Sequence, residues 1–329
     1  MLSNEGEILN QRLVRPLIWS ILAGVIIYGG SMVFSDLHAV GESIARLGAA
    51  GWLAVLGLSL TNYGLRFVRW QIYLNRFRYS IPTLRSLAYY LGGFAFTTTP
   101  GKAGEAMRSL YLKRHGVTYV HSLAAFFTER LVDLVAMVLL ALVAALTFPD
   151  YQWPVVVIMM LLLLLLLMVH ARPFHSVLGA QLQRLPSDKA RSLGLRLLDL
   201  LRSASTLLWS GPLYAGAVLA VLAWGAEGVA FHVILQTLDI ETTVSLAVGI
   251  YSVSVLVGAL SFIPGGLGST EAVMILLLKL VGADTPTALA ATVICRLATL
   301  WFAVMIGGLT VLLLELQTKA ARRQASNNI

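Results

Sequence analysis

Thr99-Pro100-Gly101-Lys102-Ala103-Gly104-Glu105 interrupts one apolar stretch of the chain, and Ile263-Pro264-Gly265-Gly266-Leu267-Gly268, with Glu271 just beyond, interrupts another. An Arg-Leu pair follows each copy inside a further apolar segment. Arg130-Leu131 lies 26 residues after the last glycine of the first copy, and Arg296-Leu297 lies 28 after that of the second. Two copies argue against chance. Paired apolar segments broken by Pro and Gly, with ionisable residues nearby, point to a substrate site of the transporter type.

The composition agrees. Of 329 residues, 58% are hydrophobic and only 12% charged, and several apolar runs reach the length needed to cross a bilayer. The chain reads as an all-α polytopic membrane protein with a single transmembrane domain over 1–329. Its one cysteine, Cys295, excludes an internal disulfide and a Cys-rich metal site, and the six His show no ligand spacing. No metal and no cofactor are expected. The first apolar run, Leu17 to Phe34, follows Arg12 and Arg15 and lacks a small-residue cleavage site, so it is expected to be a transmembrane helix and not a removable signal.

Full crossings are expected near 17–34, 52–72, 122–147, 155–170, 213–237 and 288–314, about six in all. The segments near 86–115 and 244–282 are each broken by the Pro-Gly motif and are read as re-entrant hairpins, because freed backbone groups in lipid must be satisfied by neighbours or cavity water. Ser86 to Thr99 would extend only about 20 Å as a helix, against a hydrocarbon core of roughly 30 Å. In the second hairpin the first arm, Val244 to Phe262, is long enough to cross, whereas the return arm, Thr270 to Gly282, is not.

Lys and Arg set the expected orientation. Sixteen of 24 fall in segments assigned to the cytoplasm, and only Arg46 falls in an outside loop. Both termini are therefore expected in the cytoplasm. Much of the +8 net charge is then a topology signal with some attraction to anionic headgroups, and nothing else supports nucleic-acid binding. With this orientation repeat one, about 52–147, and repeat two, about 213–314, are related by inverted topology, as in transporters with a pseudo-two-fold axis in the membrane plane. The linker, about 171–212, alternates Leu193, Leu197 and Leu200 with Arg196, Asp199 and Arg202 after Ser187-Asp188, which suits a helix on the cytoplasmic interface. A weaker pattern, Leu37, Val40, Ile44 and Leu47, suits the outer face.

Arg130 falls about nine residues into its expected crossing and Arg296 about ten into its own, so each lies roughly 13–15 Å deep from opposite sides. A charge at that depth costs on the order of 2.5–3.5 kcal/mol even on lenient scales, so both must face protein or water. Glu129 and Asp133 share a helix face, with Arg130 three before Asp133. Glu105, Arg108, Lys102, Glu227, Glu271 and Thr299 complete the candidates. Two readings stand: arginines that receive an anionic headgroup, or ion pairs (Arg130 with Asp133, Arg296 with Glu271) that hold a bundle in register. Pro100, Gly101, Gly104, Pro264, Gly265, Gly266 and Gly268 shape the hairpin tips, and their amides could cradle a phosphate. Arg66 and Arg69, near a cytoplasmic helix end, either snorkel to headgroups or guide substrate access. Thr97 to Thr99 are expected to satisfy the broken backbone.

On Thr-Thr-Pro-Gly-Lys-Ala-Gly-Glu at 98–105, Glu129-Arg130 with Asp133, Pro-Gly-Gly-Leu-Gly-Ser-Thr-Glu at 264–271, and Arg296 with Thr299, the chain resembles the flippase-like transmembrane region of lysylphosphatidylglycerol synthases and its stand-alone relatives, over about residues 15–315. The resemblance implies movement of lipids between leaflets of a bacterial inner membrane: aminoacylated phosphatidylglycerol in two-domain members, polyprenyl-linked or hopanoid lipids in others. The aminoacyltransferase domain of two-domain members is not expected here, so synthase activity is not implied. The leading expectation is a lipid translocase in which Arg130 and Arg296 receive an anionic headgroup while Glu105, Glu129, Asp133 and Glu271 hold them in the empty state. The drive is facilitated exchange or proton coupling through a carboxylate, since no Walker motif is present. Two rivals remain: a membrane-embedded headgroup enzyme using Glu105 or Glu129 as base, and a non-transporting scaffold for lipid-synthesis enzymes.

Overall fold

The computed structural model describes residues 37–99, 105–147, 152–209 and 211–327. These residues form helices and no strands. The expected first crossing, 17–34, and the tip residues Pro100, Gly101, Lys102 and Gly104 lie outside the described residues. In chain order the helices are α1 (Leu37–Arg46), α2 (Gly48–Arg76), α3 (Thr83–Gly93), α4 (Arg108–Lys113), α5 (Tyr119–Thr147), α6 (Gln152–His170), α7 (Arg172–Gln183), α8 (Asp188–Leu207), α9 (Gly211–Thr237), α10 (Val244–Leu260), α11 (Ser269–Leu280), α12 (Thr285–Arg296) and α13 (Phe302–Asn327). Short 3₁₀ turns follow α3 (Phe94–Phe96) and α10 (Pro264–Gly266), and a π turn (Leu297–Trp301) joins α12 to α13.

Helix starts carry local caps. Ser187, Thr243 and Asp284 accept hydrogen bonds from the amides of Ala190, Leu246 and Thr287, which satisfies donors that a helix N-terminus leaves open. Gly211–Thr237, with mean hydropathy 1.9, and the continuous Thr285–Thr318, with 2.3, are long and apolar enough to cross a membrane. Val155–Val169 and Pro173–Gln183, bent by 71°, make a third if taken as one span. The expected crossings 52–72 and 122–147 lie within α2 and α5, each 29 residues long. At 1.5 Å per residue both exceed a hydrocarbon core, and what lowers their apolarity is a set of ionisable side chains turned into the protein.

The second hairpin corrects one expected boundary. α10 ends at Leu260, 17 residues long and about 26 Å, short of a roughly 30 Å core. Ser261 closes it by donating to the Gly258 carbonyl at 2.8 Å, and Phe262 adopts φ 54°, so the apolar run continues in sequence while the helix does not. The linker likewise holds two helices, α7 and α8, where one was expected.

The most extensive packing pairs α2 with α9 and α5 with α10, and α13 packs on α3 and the turn after it. Glycines permit these approaches. A Cβ on Gly307 would lie 2.1 Å from the Ala95 amide nitrogen, and one on Gly258 1.9 Å from Thr270 Oγ1. α2 is tied across the bundle by polar groups: Asn62 Nδ2 donates to Ala223 O at 2.9 Å, Ser59 Oγ to Ala298 O at 2.9 Å, and Tyr63 OH to Thr299 O at 2.8 Å. The last two cover carbonyls of the π turn, backbone that needs outside partners where water is absent.

Candidate functional site

α5 carries Arg130 as its twelfth residue, and α12 carries Arg296 as its twelfth. Each is about 17 Å from the start of its helix, the depth at which a charge needs partners. Arg130 finds them in a buried network. Asp133 Oδ2 is 3.0 Å from Arg130 Nη2, while Oδ1 accepts from Arg69 Nη2 at 2.7 Å and from Trp224 Nε1 at 3.0 Å. Glu105 Oε2 lies 3.7 Å from Arg130 Nη2 and 3.9 Å from Arg66 Nη2, and its Oε1 accepts from Thr97 Oγ1 at 3.1 Å. Glu129 accepts from Arg108, and from Tyr90 OH at 3.4 Å. The Arg108 guanidinium sits 3.9 Å from the centroid of the Trp70 ring, and that of Arg66 lies 5.3 Å from both Phe94 and Trp224, cation–π contacts that strengthen when desolvated.

Four guanidinium groups thus face three carboxylates, an excess of one positive charge among the described residues. Six of the seven side chains are at most 7% exposed, and Arg130 is 17% exposed. Nε of Arg66 and of Arg130 has no hydrogen-bond partner among the described residues. Such a network gains little net stability from its attraction, because desolvation opposes it, yet losing one member leaves an uncompensated buried charge.

Arg296 has partners of its own. Arg296 Nε donates to Glu271 Oε1 at 2.7 Å, and Nη2 donates to the Gly265 carbonyl at 2.6 Å. Glu271 Oε2 accepts from the Gly268 amide at 2.7 Å, so one carboxylate ties the arginine to the tip. Gly265, Gly266 and Gly268 take φ of 63°, 65° and 88°, which an L side chain resists. The expectation that the tip amides could cradle a phosphate meets a different geometry: Gly266 N bonds Ile263 O, Leu267 N bonds Pro264 O, and Gly268 N bonds Glu271. These amides are spent on the turn itself. Thr299 Oγ1 turns back to the Cys295 carbonyl at 2.8 Å. Glu227 accepts from Tyr251 OH.

Both arginines line one cavity of about 260 Å³. Asp133 and Trp224 share its wall with Arg130, and Gly265 and Gly266 share it with Arg296; Thr99 contributes from the first hairpin. The two hairpins touch here, since a Cβ on Gly265 would lie 3.4 Å from Thr98 Cα. Leu260, Phe262 and Ile263 also line the cavity, and they are 41%, 73% and 41% exposed, so its rim is apolar and open to the surroundings.

Two expectations need correction. Arg66 and Arg69, read as snorkelling or access residues, are 5% and 0% exposed. They belong to the inner network because α2 continues to Arg76, which places them two turns or more from its end. Thr97 serves Glu105 rather than the broken backbone, while Thr99 Oγ1 donates to Phe96 O at 2.7 Å as expected. Sequence reading missed Trp224, Tyr90 and Trp70 as partners. An aromatic residue in an apolar helix carries no local sign of polar duty, although Arg66, Arg69, Trp70 and Tyr73 at helical spacing mark one face of α2.

The sequence profile of the lysylphosphatidylglycerol synthase transmembrane region matches residues 21–307. A protein of Methanothermobacter thermautotrophicus called UPF0104 membrane protein is 25% identical over 308 residues, 88% of this chain and 89% of its own. A UPF0104 membrane protein of Pyrococcus horikoshii is 25% identical over 283 residues, 74% of this chain and 81% of its own. The match over most of the chain, on helices that bury an arginine-rich site, means that this protein belongs to the family of the lysylphosphatidylglycerol synthase transmembrane region.

Proposed function

We propose that this protein is a flippase-like lipid translocase that moves an anionic phospholipid or polyprenyl-linked lipid between leaflets of the membrane. The observation that carries the reading is the single cavity walled by Arg130 from one half and Arg296 from the other. Its volume of about 260 Å³ is below the roughly 300–1,000 Å³ of pockets for drug-sized ligands, so it suits a compact headgroup and leaves the tails outside. The apolar rim at Leu260, Phe262 and Ile263 offers those tails a path.

The mechanism follows from competition. A phosphate presents oxygens that match the forked donors of arginine, and it would draw Arg130 from Asp133 and Glu105, and Arg296 from Glu271 and the Gly265 carbonyl. Release of that carbonyl frees the second tip. Two alternately paired states result, one empty and one loaded. The carboxylates re-engage the arginines as the headgroup leaves, which keeps binding weak enough for release.

Inverted repeats with re-entrant hairpins fit the packing. α5 lies on the first arm of the second hairpin, and α13 lies on the first arm of the first, as a two-fold exchange of halves requires. Arg130 contacts Glu105 and Arg296 contacts Glu271, each the glutamate of its own half's hairpin. Both termini then lie in the cytoplasm of a bacterial inner membrane, on the Lys/Arg asymmetry, with membrane lipids as partners and lipid-synthesis enzymes as suppliers. Reconstitution tests this reading. Purified protein in phosphatidylglycerol and phosphatidylcholine liposomes should expose inner-leaflet headgroup-labelled fluorescent lipid to an impermeant quencher, with the lipid chemically unchanged. A lipid that stays protected, or one recovered with an altered headgroup, would refute it.

A further inference from the structure

Away from the central cavity, a second concave site of about 450 Å³ lies where the end of α2, the start of α5 and the last turns of α8 meet. It is lined by Arg76, Phe77, His121, Arg202, Ser203 and Thr206. No carboxylate is among them. Arg76 is exposed and has no acidic partner among the described residues. Arg202 meets Asp199 at 3.5 Å, with the two side chains 51% and 60% exposed, a pair of the kind that contributes little in water. His121 is held in place: its ring stacks on Phe77 with centroids 4.4 Å apart, and its Nδ1 lies 2.9 Å from Tyr79 OH. The hydroxyls of Ser203 and Thr206 donate to the carbonyls of Asp199 and Ser203 at 2.8 and 2.7 Å. Donors for a ligand are therefore the two guanidinium groups and the imidazole, a set suited to phosphate oxygens.

The depth of the site is fixed by its neighbours. Trp209 lies two residues beyond α8 and Tyr214 lies in the first turn of α9, and both are exposed; Trp and Tyr so placed mark the boundary between hydrocarbon and water. α8 exposes Leu193 and Leu197 on either side of Arg196, as a helix lying in the interface does. Phosphates of a bilayer occupy the same level. On α2, Arg76, Tyr73, Arg69 and Arg66 follow one another at spacings of three, four and three, so one helix face leads over about 15 Å from this site to the buried network.

We propose that this groove is a second anion site, which holds the phosphate of an anionic phospholipid at the bilayer surface, outside the central cavity. The site stands on its own geometry and does not require the translocation reading. The test is equilibrium binding of short-chain phosphatidylglycerol to the full-length protein in detergent, compared with short-chain phosphatidylcholine and inorganic phosphate. The variants are Arg76→Gln with Arg202→Gln, the Lys pair at the same positions, and Arg76→Gln alone, which leaves the Arg202–Asp199 pair intact. The Gln pair should bind phosphatidylglycerol about tenfold more weakly, the Lys pair should keep most of the affinity, and added salt should weaken binding by wild type more than by the Gln pair. Should the Gln pair fail to fold, a several-fold loss in Arg76→Gln carries the same meaning. Unchanged affinity in folded Gln variants would overturn the site, and inorganic phosphate displacing the lipid at equal concentration would overturn the lipid as its ligand.

Discussion

α5 and α12 each carry an arginine as their twelfth residue and surround it very differently. Arg130 shares a network of four guanidinium groups and three carboxylates with Arg66, Arg69 and Arg108. Arg296 bonds Glu271 and the Gly265 carbonyl. On the proposed function, an anion that draws Arg130 from its partners would disturb a network of seven charged side chains. On that reading the Arg130 side would be the rigid wall and the Arg296 side the one that yields. Buried charge networks are costly to break one member at a time, whereas Arg296 reaches the tip through the Gly265 carbonyl and Glu271.

The largest expected effect of breaking this asymmetry is at Asp133. Asp133→Ala leaves Arg69 and Arg130 without their shared partner and should cost about 3–5 kcal/mol, read as a large fall in the thermal unfolding midpoint in detergent. Glu271→Ala should cost clearly less, because Arg296 keeps the Gly265 carbonyl; equal losses would erase the distinction between the halves. Next comes Gly307→Ala, whose Cβ meets backbone at Ala95 and should cost about 1–3 kcal/mol by overpacking. Gly258→Ala should cost less than Gly307→Ala, since its obstacle is the Thr270 hydroxyl, which can rotate. Smallest in stability is Glu271→Gln. Its one amide oxygen can accept from the Gly268 amide or from Arg296 but not from both, so it should cost less than Glu271→Ala while changing the scrambling rate more than the affinity for lipid.

Much of this site was readable because a charge in an apolar run is conspicuous. Arg130, Glu129, Asp133 and Arg296 declare themselves by depth alone, and Pro264 with Gly265, Gly266 and Gly268 marks a break that no helix tolerates. What the sequence hid was pairing over distance. Asp133 bonds Arg69 across 64 residues and Trp224 across 91, and no local spacing encodes either contact. Depth was misjudged for Arg66 and Arg69 because the polar residues after them resemble a helix end, yet α2 continues to Arg76. The end of α10 was hidden for the opposite reason: Phe262 and Ile263 continue the apolar run after Ser261 has closed the helix.

The central claim is that Arg130 and Arg296 together receive the headgroup, and lipid scrambling by folded variants in proteoliposomes tests it most directly. Arg130→Ala and Arg296→Ala should each abolish scrambling, with unfolding transitions measured on the same preparations. Lys at either position should restore activity in part, since a point charge keeps the attraction and loses the bidentate fork. The expected result is loss of transport in Arg296→Ala at near-native stability, with Arg130→Ala losing transport and some stability besides. Stable variants of both arginines that scramble lipid at the wild-type rate would contradict the account.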